Sequence, residues 1–113
     1  KVSERSISAD VEFCCRYIEQ QIFQSVYIAD LAAMINLSES RFKHKFKEEM
    51  GIPPNEYILS QKLNKAKELL KNTEISFTDL AYDLGFSTSS YFSSVFKKYQ
   101  GVTPTEYRSK INN

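Results

Sequence analysis

At 113 residues, with 42% hydrophobic side chains and fifteen aromatics, the chain has enough apolar material for a compact core that needs no staple. The net charge is only +1, modest for a nucleic-acid-binding domain, and it is unevenly placed. Residues 1–37 hold three Lys or Arg against five Asp or Glu, and residues 38–113 hold twelve against nine, so the later part carries any electrostatic footprint. Cys14 and Cys15 are adjacent, with α-carbons about 3.8 Å apart, which is below the usual disulfide range and points to reduced thiols. One histidine and no second cysteine pair leave no ordinary tetrahedral ligand set, so neither a metal nor a cofactor is expected. No apolar stretch approaches the roughly 18 residues of a membrane span, and the N-terminus lacks a signal-peptide layout, so the expected location is cytoplasmic, with no membrane partner. The first residue is Lys1 rather than methionine, and a longer parent with a separate upstream domain is expected.

All the recognisable segments read as helix. Asp10 is placed to cap a first helix whose Val11, Cys14, Cys15, Ile18 and Ile22 form one apolar stripe, which makes both cysteines core residues. Ile28, Leu31, Ala32 and Ile35 keep helical spacing up to Asn36, which tolerates the left-handed backbone of a tight turn, and Ser38 is positioned to cap the next helix. Pro54 suits the first turn of a long helix in which Leu59, Leu63, Ala66 and Leu70 carry the stripe to Asn72 and Lys65 is exposed. No Gly or Pro interrupts residues 55–72, so this helix is expected to be a rigid spacer of about 25 Å. Leu80, Ala81 and Leu84 precede Gly85, after which Ser87 or Thr88, with Ser87 preferred, caps a helix that buries Phe92, Val95, Phe96 and Tyr99.

Sliding the sequence on itself exposes an internal repeat. Asp30-Leu31-Ala32 recurs as Asp79-Leu80-Ala81 at an offset of 49, with Ser38 falling on Ser87. From Phe42 the offset is 50, and Phe42, Phe46, Lys47, Gly51, Pro54, Glu56 and Tyr57 meet Phe92, Phe96, Lys97, Gly101, Pro104, Glu106 and Tyr107. One helix-turn-helix unit is therefore present twice, with one extra residue at the second turn. The implied organisation is a first subdomain over 8–54, a linker helix over 55–72 and a second subdomain over 73–110. Such a spacer lets two units reach successive major grooves, which face one side of DNA about 34 Å apart.

In the second helix of the first unit, a rotation of about 100° per residue sets Ser40, His44 and Lys47 opposite Phe42 and Phe46, with Lys43 flanking them. Arg41 and Lys45 lie toward the sides, where phosphate is nearer than base edges. The equivalent helix of the second unit turns Ser90, Ser94, Lys97 and Lys98 outward, with Ser89 and Ser93 beside them, a blander face suited to docking on the backbone.

These stretches, together with Leu84-Gly85-Phe86-Ser87, Ser90-Tyr91-Phe92, Phe96-Lys97-Lys98 and Tyr107-Arg108, resemble the DNA-binding domain of the AraC/XylS family of bacterial transcription regulators. The likeness runs from about Ser8 to Arg108. It implies an all-α fold of seven helices, forming two homeodomain-like helix-turn-helix subdomains joined by a long linker helix. It also implies sequence-specific binding of double-stranded promoter or operator DNA, frequent contact with RNA polymerase, and a separate sensor or dimerisation domain. By position, the family's base contacts fall on Ser40, Lys43 and His44, and on Ser89, Ser90, Ser93 and Ser94; Ser94 stands where many relatives have arginine.

Other functions have less support. There is no Gly-rich phosphate loop, no metal-binding helix motif and no carboxylate pair in an evident cleft, so the chain is not read as an enzyme. A small-molecule sensor is disfavoured because the polar residues fall on outward faces. The rival reading is a helical protein-interaction module that kept the architecture and lost DNA affinity, and the modest net charge motivates it.

Overall fold

The computed structural model describes residues 7–112, with side chains to Lys110. Among the described residues there are seven helices and no strand: α1 Ala9–Gln20, α2 Ile28–Met34, α3 Glu39–Met50, α4 Pro54–Asn72, α5 Phe77–Asp83, α6 Ser89–Gln100 and α7 Pro104–Asn112. The fold is all-α and holds two helix-turn-helix units, with the described residues up to Gln61 in one compact body and those from Lys62 in another.

The first body closes around Val11, Cys14, Cys15 and Ile18 of α1, Leu31 and Ala32 of α2, Ile35, Phe42 and Phe46 of α3, and Ile58 of α4. Burying each large apolar side chain contributes about 1.5–3 kcal/mol, so this cluster outweighs the weak helix preference of segments as short as α2. Helix α1 begins earlier than the sequence suggested. Ser8, not Asp10, is the N-cap, its hydroxyl accepting from the Val11 N–H at 3.2 Å; Asp10 sits exposed in the first turn, where it favours the helix dipole. Both cysteines are buried, unpaired thiols, and burial, aided by Cys15 and Asp10, pushes Cys14 up to about 11, so it remains a neutral packing group.

The two tight turns are built the same way. At the end of α2, Asn36 takes φ 58°, and the Leu37 and Asn36 N–H groups return to the Ala32 and Ala33 carbonyls at 3.0 and 3.1 Å. At the end of α5, Gly85 takes φ 83°, and the Phe86 and Gly85 N–H groups return to Ala81 and Tyr82 at 2.9 and 3.0 Å. Both are paired 6→1 and 5→2 closures that satisfy helix-end carbonyls. The extra residue of the second turn is Ser87 itself: Thr88, not Ser87, caps α6 and accepts from Tyr91 N–H at 3.0 Å, so the structural partner of Ser38 is Thr88. Ser38 caps α3 as expected, accepting from Arg41 N–H at 3.2 Å.

Helix α4 serves both repeats in sequence. Ile58, rather than half-buried Leu59, lies in the first core, because its position one residue earlier turns it toward that cluster. Leu63, Ala66 and Leu70 are buried further along, fifty-two positions after Val11, Cys14 and Ile18. The later half of α4 thus stands before α5 as α1 stands before α2. Lys65, expected to be exposed, is half-buried and ion-paired with Glu68 at 2.9 Å. The end of α4 is held by Arg108 of α7, whose guanidinium donates to the Leu70 and Thr73 carbonyls, both at 3.2 Å, and stacks 5.1 Å from the Phe77 ring centroid. Helix α7 itself starts on a reciprocal box in which Thr103 N–H donates to Glu106 and Glu106 N–H donates to the Thr103 hydroxyl, at 2.9 and 3.1 Å.

Gly51 and Gly101 close α3 and α6 with φ 87° and 83°, each N–H donating 2.8 Å to a lysine carbonyl one turn back, and a β-carbon at either would meet nothing within 4 Å. The cost of alanine there is conformational alone. Gly51→Ala and Gly101→Ala should each destabilise by about 1–2 kcal/mol, and asparagine at either site should recover part of it. Denaturant unfolding of the four variants checks both statements; an unchanged midpoint for alanine would remove the backbone account.

Candidate nucleic-acid interface

The orientation of α3 follows from its apolar side. Phe42 and Phe46 are fully buried, their ring centroids 5.6 Å apart, and Phe46 meets Tyr57 of α4 edge-on at 5.5 Å. With these rings inward, helical geometry leaves Ser40, Arg41, Lys43, His44 and Lys47 exposed. Arg41 and His44 line one shallow recess with Asp10, Leu37, Lys45 and Glu48, and His44 and Lys47 meet again beside Glu48. Arg41, His44 and Lys47 are thus joined through these two recesses, while Ser40 and Lys43 are exposed but line neither of them.

Lys45 is different. It is half-buried and bound to Glu49 at 3.0 Å, and the other oxygen of Glu49 accepts the Ser8 N–H at 2.7 Å. Burial works against ionisation of Glu49, but the hydrogen bonds from Ser8 and Lys45 outweigh it and hold the carboxyl below its ordinary value of 4.5. The Lys45–Glu49 half is an i,i+4 pair, whereas the Ser8 half, which no sequence pattern announced, ties the start of α1 to the last turn of α3.

Helix α6 repeats the design with other chemistry. Phe92 and Phe96 are fully buried with centroids 5.8 Å apart, Phe96 meets Tyr107 edge-on at 5.5 Å, and Val95 is buried on the same helix. Ser90, Ser94, Lys97 and Lys98 are exposed, while Ser89 and Ser93 are half-buried at the margin. Tyr99, expected in the core, is 47% exposed: it lies in the last turn, and its ring sits 5.5 Å from the Lys98 ammonium. Helix α6 carries two lysines and no carboxylate, whereas α3 sets Arg41, Lys43, Lys45 and Lys47 against Glu39, Glu48 and Glu49. The two cations of α6 fall in its last turn, where the helix dipole favours them.

A family model described as a helix-turn-helix domain matches residues 31–110. The chain is 36% identical over 92 residues to the probable transcriptional regulator LumQ of Photobacterium leiognathi, covering 81% of this chain and 37% of that protein. It is 35% identical over 108 residues to the arabinose operon regulatory protein of Escherichia coli, covering 91% and 37%. Among solved structures, the C-terminal domain of AraT, a response regulator from Geobacillus stearothermophilus, superposes with a TM-score of 0.86 at 32% identity, covering 91% of this chain and 86% of that one. The chain belongs to the AraC/XylS family. It spans little more than a third of the length of these two full-length regulators, and its family is one of DNA-binding domains of transcription regulators rather than of enzymes. Among the described residues no helix is long and apolar enough to cross a membrane, and no group of three or more His, Cys, Asp or Glu is placed to hold a metal ion.

The depressed Glu49 carboxyl stabilises the fold above its ordinary value of 4.5, and that contribution drains away as pH falls below it and the group protonates. Glu49→Gln should therefore cost about 1 kcal/mol near neutral pH, and the two proteins should converge at acid pH. Urea unfolding at a series of pH values measures the gap; a gap independent of pH would show that the charge is irrelevant.

Proposed function

We propose that this AraC/XylS-type chain binds double-stranded promoter or operator DNA sequence-specifically, as the output domain of a bacterial transcription regulator. Helices α3 and α6 are the two recognition helices, one for each of two successive major grooves. The observation that carries the reading is the repeated pairing of two buried phenylalanines, closed by a half-buried tyrosine, with an exposed polar face, Ser40, Lys43, His44 and Lys47 on α3 and Ser90, Ser94, Lys97 and Lys98 on α6. A helix so anchored presents short hydroxyls, an imidazole and long cations outward, which suits base edges at the centre and phosphates around them.

Within this reading the helices divide the work. Lys43 and His44, with Ser40, read bases; Arg41 and Lys47 hold phosphates beside them. On α6 the serines, including Ser89 and Ser93, discriminate weakly, and Lys97 and Lys98 dock on the backbone. The division into a first unit over 8–54, a linker over 55–72 and a second unit over 73–110 belongs to the same proposal. So do a separate sensor or dimerisation domain in the parent protein, contact with RNA polymerase, and a cytoplasmic location. The rival, an interaction module without DNA affinity, requires that no saturable, salt-sensitive binding occur on any duplex.

Selection of bound sequences from a random duplex pool is the first test. One domain should enrich an asymmetric site with two specified segments about one helical turn apart, because tandem units with unequal faces do not need a palindrome. Two mutants then separate the roles. Lys43→Ala should cost about 1–3 kcal/mol on the selected site, relax preference at one or two base pairs, and lose less on random DNA. Lys97→Ala should weaken both duplexes by similar factors and lower the salt slope by about one unit, as one phosphate contact and its counterion are lost. The opposite pattern in the two mutants would make α6 the reader.

A further inference from the structure

Tyr91 is an exposed aromatic on α6, outside the serine and lysine face. It is 53% exposed, and the fifty-residue offset places it at the position of Arg41 on α3. Its ring lies 5.8 Å from Phe86, tilted by 58°, and Phe86 in turn packs 5.1 Å from buried Phe92. The ring is therefore held against Phe86 at the margin of the core, while about half of the residue stays open to solvent. At about 100° per residue, Tyr91 and Lys98 fall along one edge of α6, beside the outward-facing Ser94, as Arg41 and Glu48 fall beside His44 on α3. An edge position looks at the groove wall rather than the groove floor, so the group within reach is a phosphate.

The geometry points to Tyr91 as a DNA-backbone contact of α6, its phenolic O–H donating to a non-bridging phosphate oxygen where α3 offers the guanidinium of Arg41. The assignment rests on the DNA-binding reading above and adds a residue to it. Two features recommend tyrosine for the task. It has only two side-chain torsions to order, and the Phe86 contact already restricts them, so little entropy is lost on docking. It is also neutral, so the bond it forms displaces no condensed counterion, and affinity gained through Tyr91 persists at salt concentrations that weaken the lysine contacts. The low net charge of the chain is then no obstacle to binding, since part of the backbone grip is not electrostatic in this sense.

The test uses the whole chain, with fluorescence anisotropy on a selected duplex and on a random duplex across a salt series. Tyr91→Phe removes only the hydroxyl and keeps the ring against Phe86. It should leave the melting temperature unchanged, lower affinity by about threefold to tenfold on both duplexes, and leave the slope of log affinity against log salt as in the wild type. Tyr91→Ala should do the same to binding and also lower the melting temperature. If Tyr91→Phe binds like the wild type while Tyr91→Ala is impaired, Tyr91 is a packing residue and the assignment fails. Loss confined to the selected duplex would make it a base contact and would also overturn the assignment. A wild-type chain that bound neither duplex would overturn the DNA-binding reading itself, and Tyr91 with it.

Discussion

Everything the two units present to solvent depends on one packing device, a pair of phenylalanines four residues apart on the second helix, closed by a tyrosine from the helix that follows. Phe42 and Phe46 with Tyr57, and Phe92 and Phe96 with Tyr107, keep centroid distances of 5.5 to 5.8 Å in both copies. Rings of that size cannot be turned outward without surrendering several kcal/mol of burial. The rotation of α3 and α6 about their own axes is thereby decided, and the opposite faces are decided with it.

The repeat conserves mechanics more strictly than chemistry. Left-handed residues close the turns at Asn36 and Gly85, glycines close the long helices at Gly51 and Gly101, and small Ala32 and Ala81 are buried in the first helix of each unit. Against this constant frame the exposed positions diverge: Arg41 becomes Tyr91, Lys43 becomes Ser93, His44 becomes Ser94 and Glu49 becomes Tyr99. Two copies with matching helix closures and unequal faces are what tandem reading of an asymmetric site would use.

Supporting contacts also differ in kind. The first unit secures its recognition helix through charge, with Glu49 bridging Lys45 and the Ser8 N–H. The second instead secures the end of α4, through Arg108, whose fork takes two carbonyls there while its plane lies on Phe77 of α5. Neither arrangement is large, but each satisfies backbone groups that a helix terminus leaves open, and that makes it costly to remove.

Much of this was legible in the chain because it depends on local or periodic causes. Helical spacing of Val11, Cys14, Cys15 and Ile18, the matched Phe positions, and the turn residues Asn36 and Gly85 act within a few residues of themselves, so the all-α fold, the two units and the outward placement of Lys43, His44, Lys97 and Lys98 could be read without coordinates. What depended on partners distant in sequence could not. The Ser8 to Glu49 bond spans forty-one residues, and Arg108 reaches back thirty-eight to Leu70. Competing caps one residue apart, Ser87 and Thr88, were separated only by where the turn delivered the chain. The Lys45–Glu49 pair is an i,i+4 neighbour that helical spacing allows, but the Ser8 N–H on the other oxygen of Glu49 is supplied by a different helix. Sequence determined which faces were apolar; tertiary packing decided which polar groups on the other faces were already engaged, because a side chain's partner is set by the geometry of the fold and not by its own spacing.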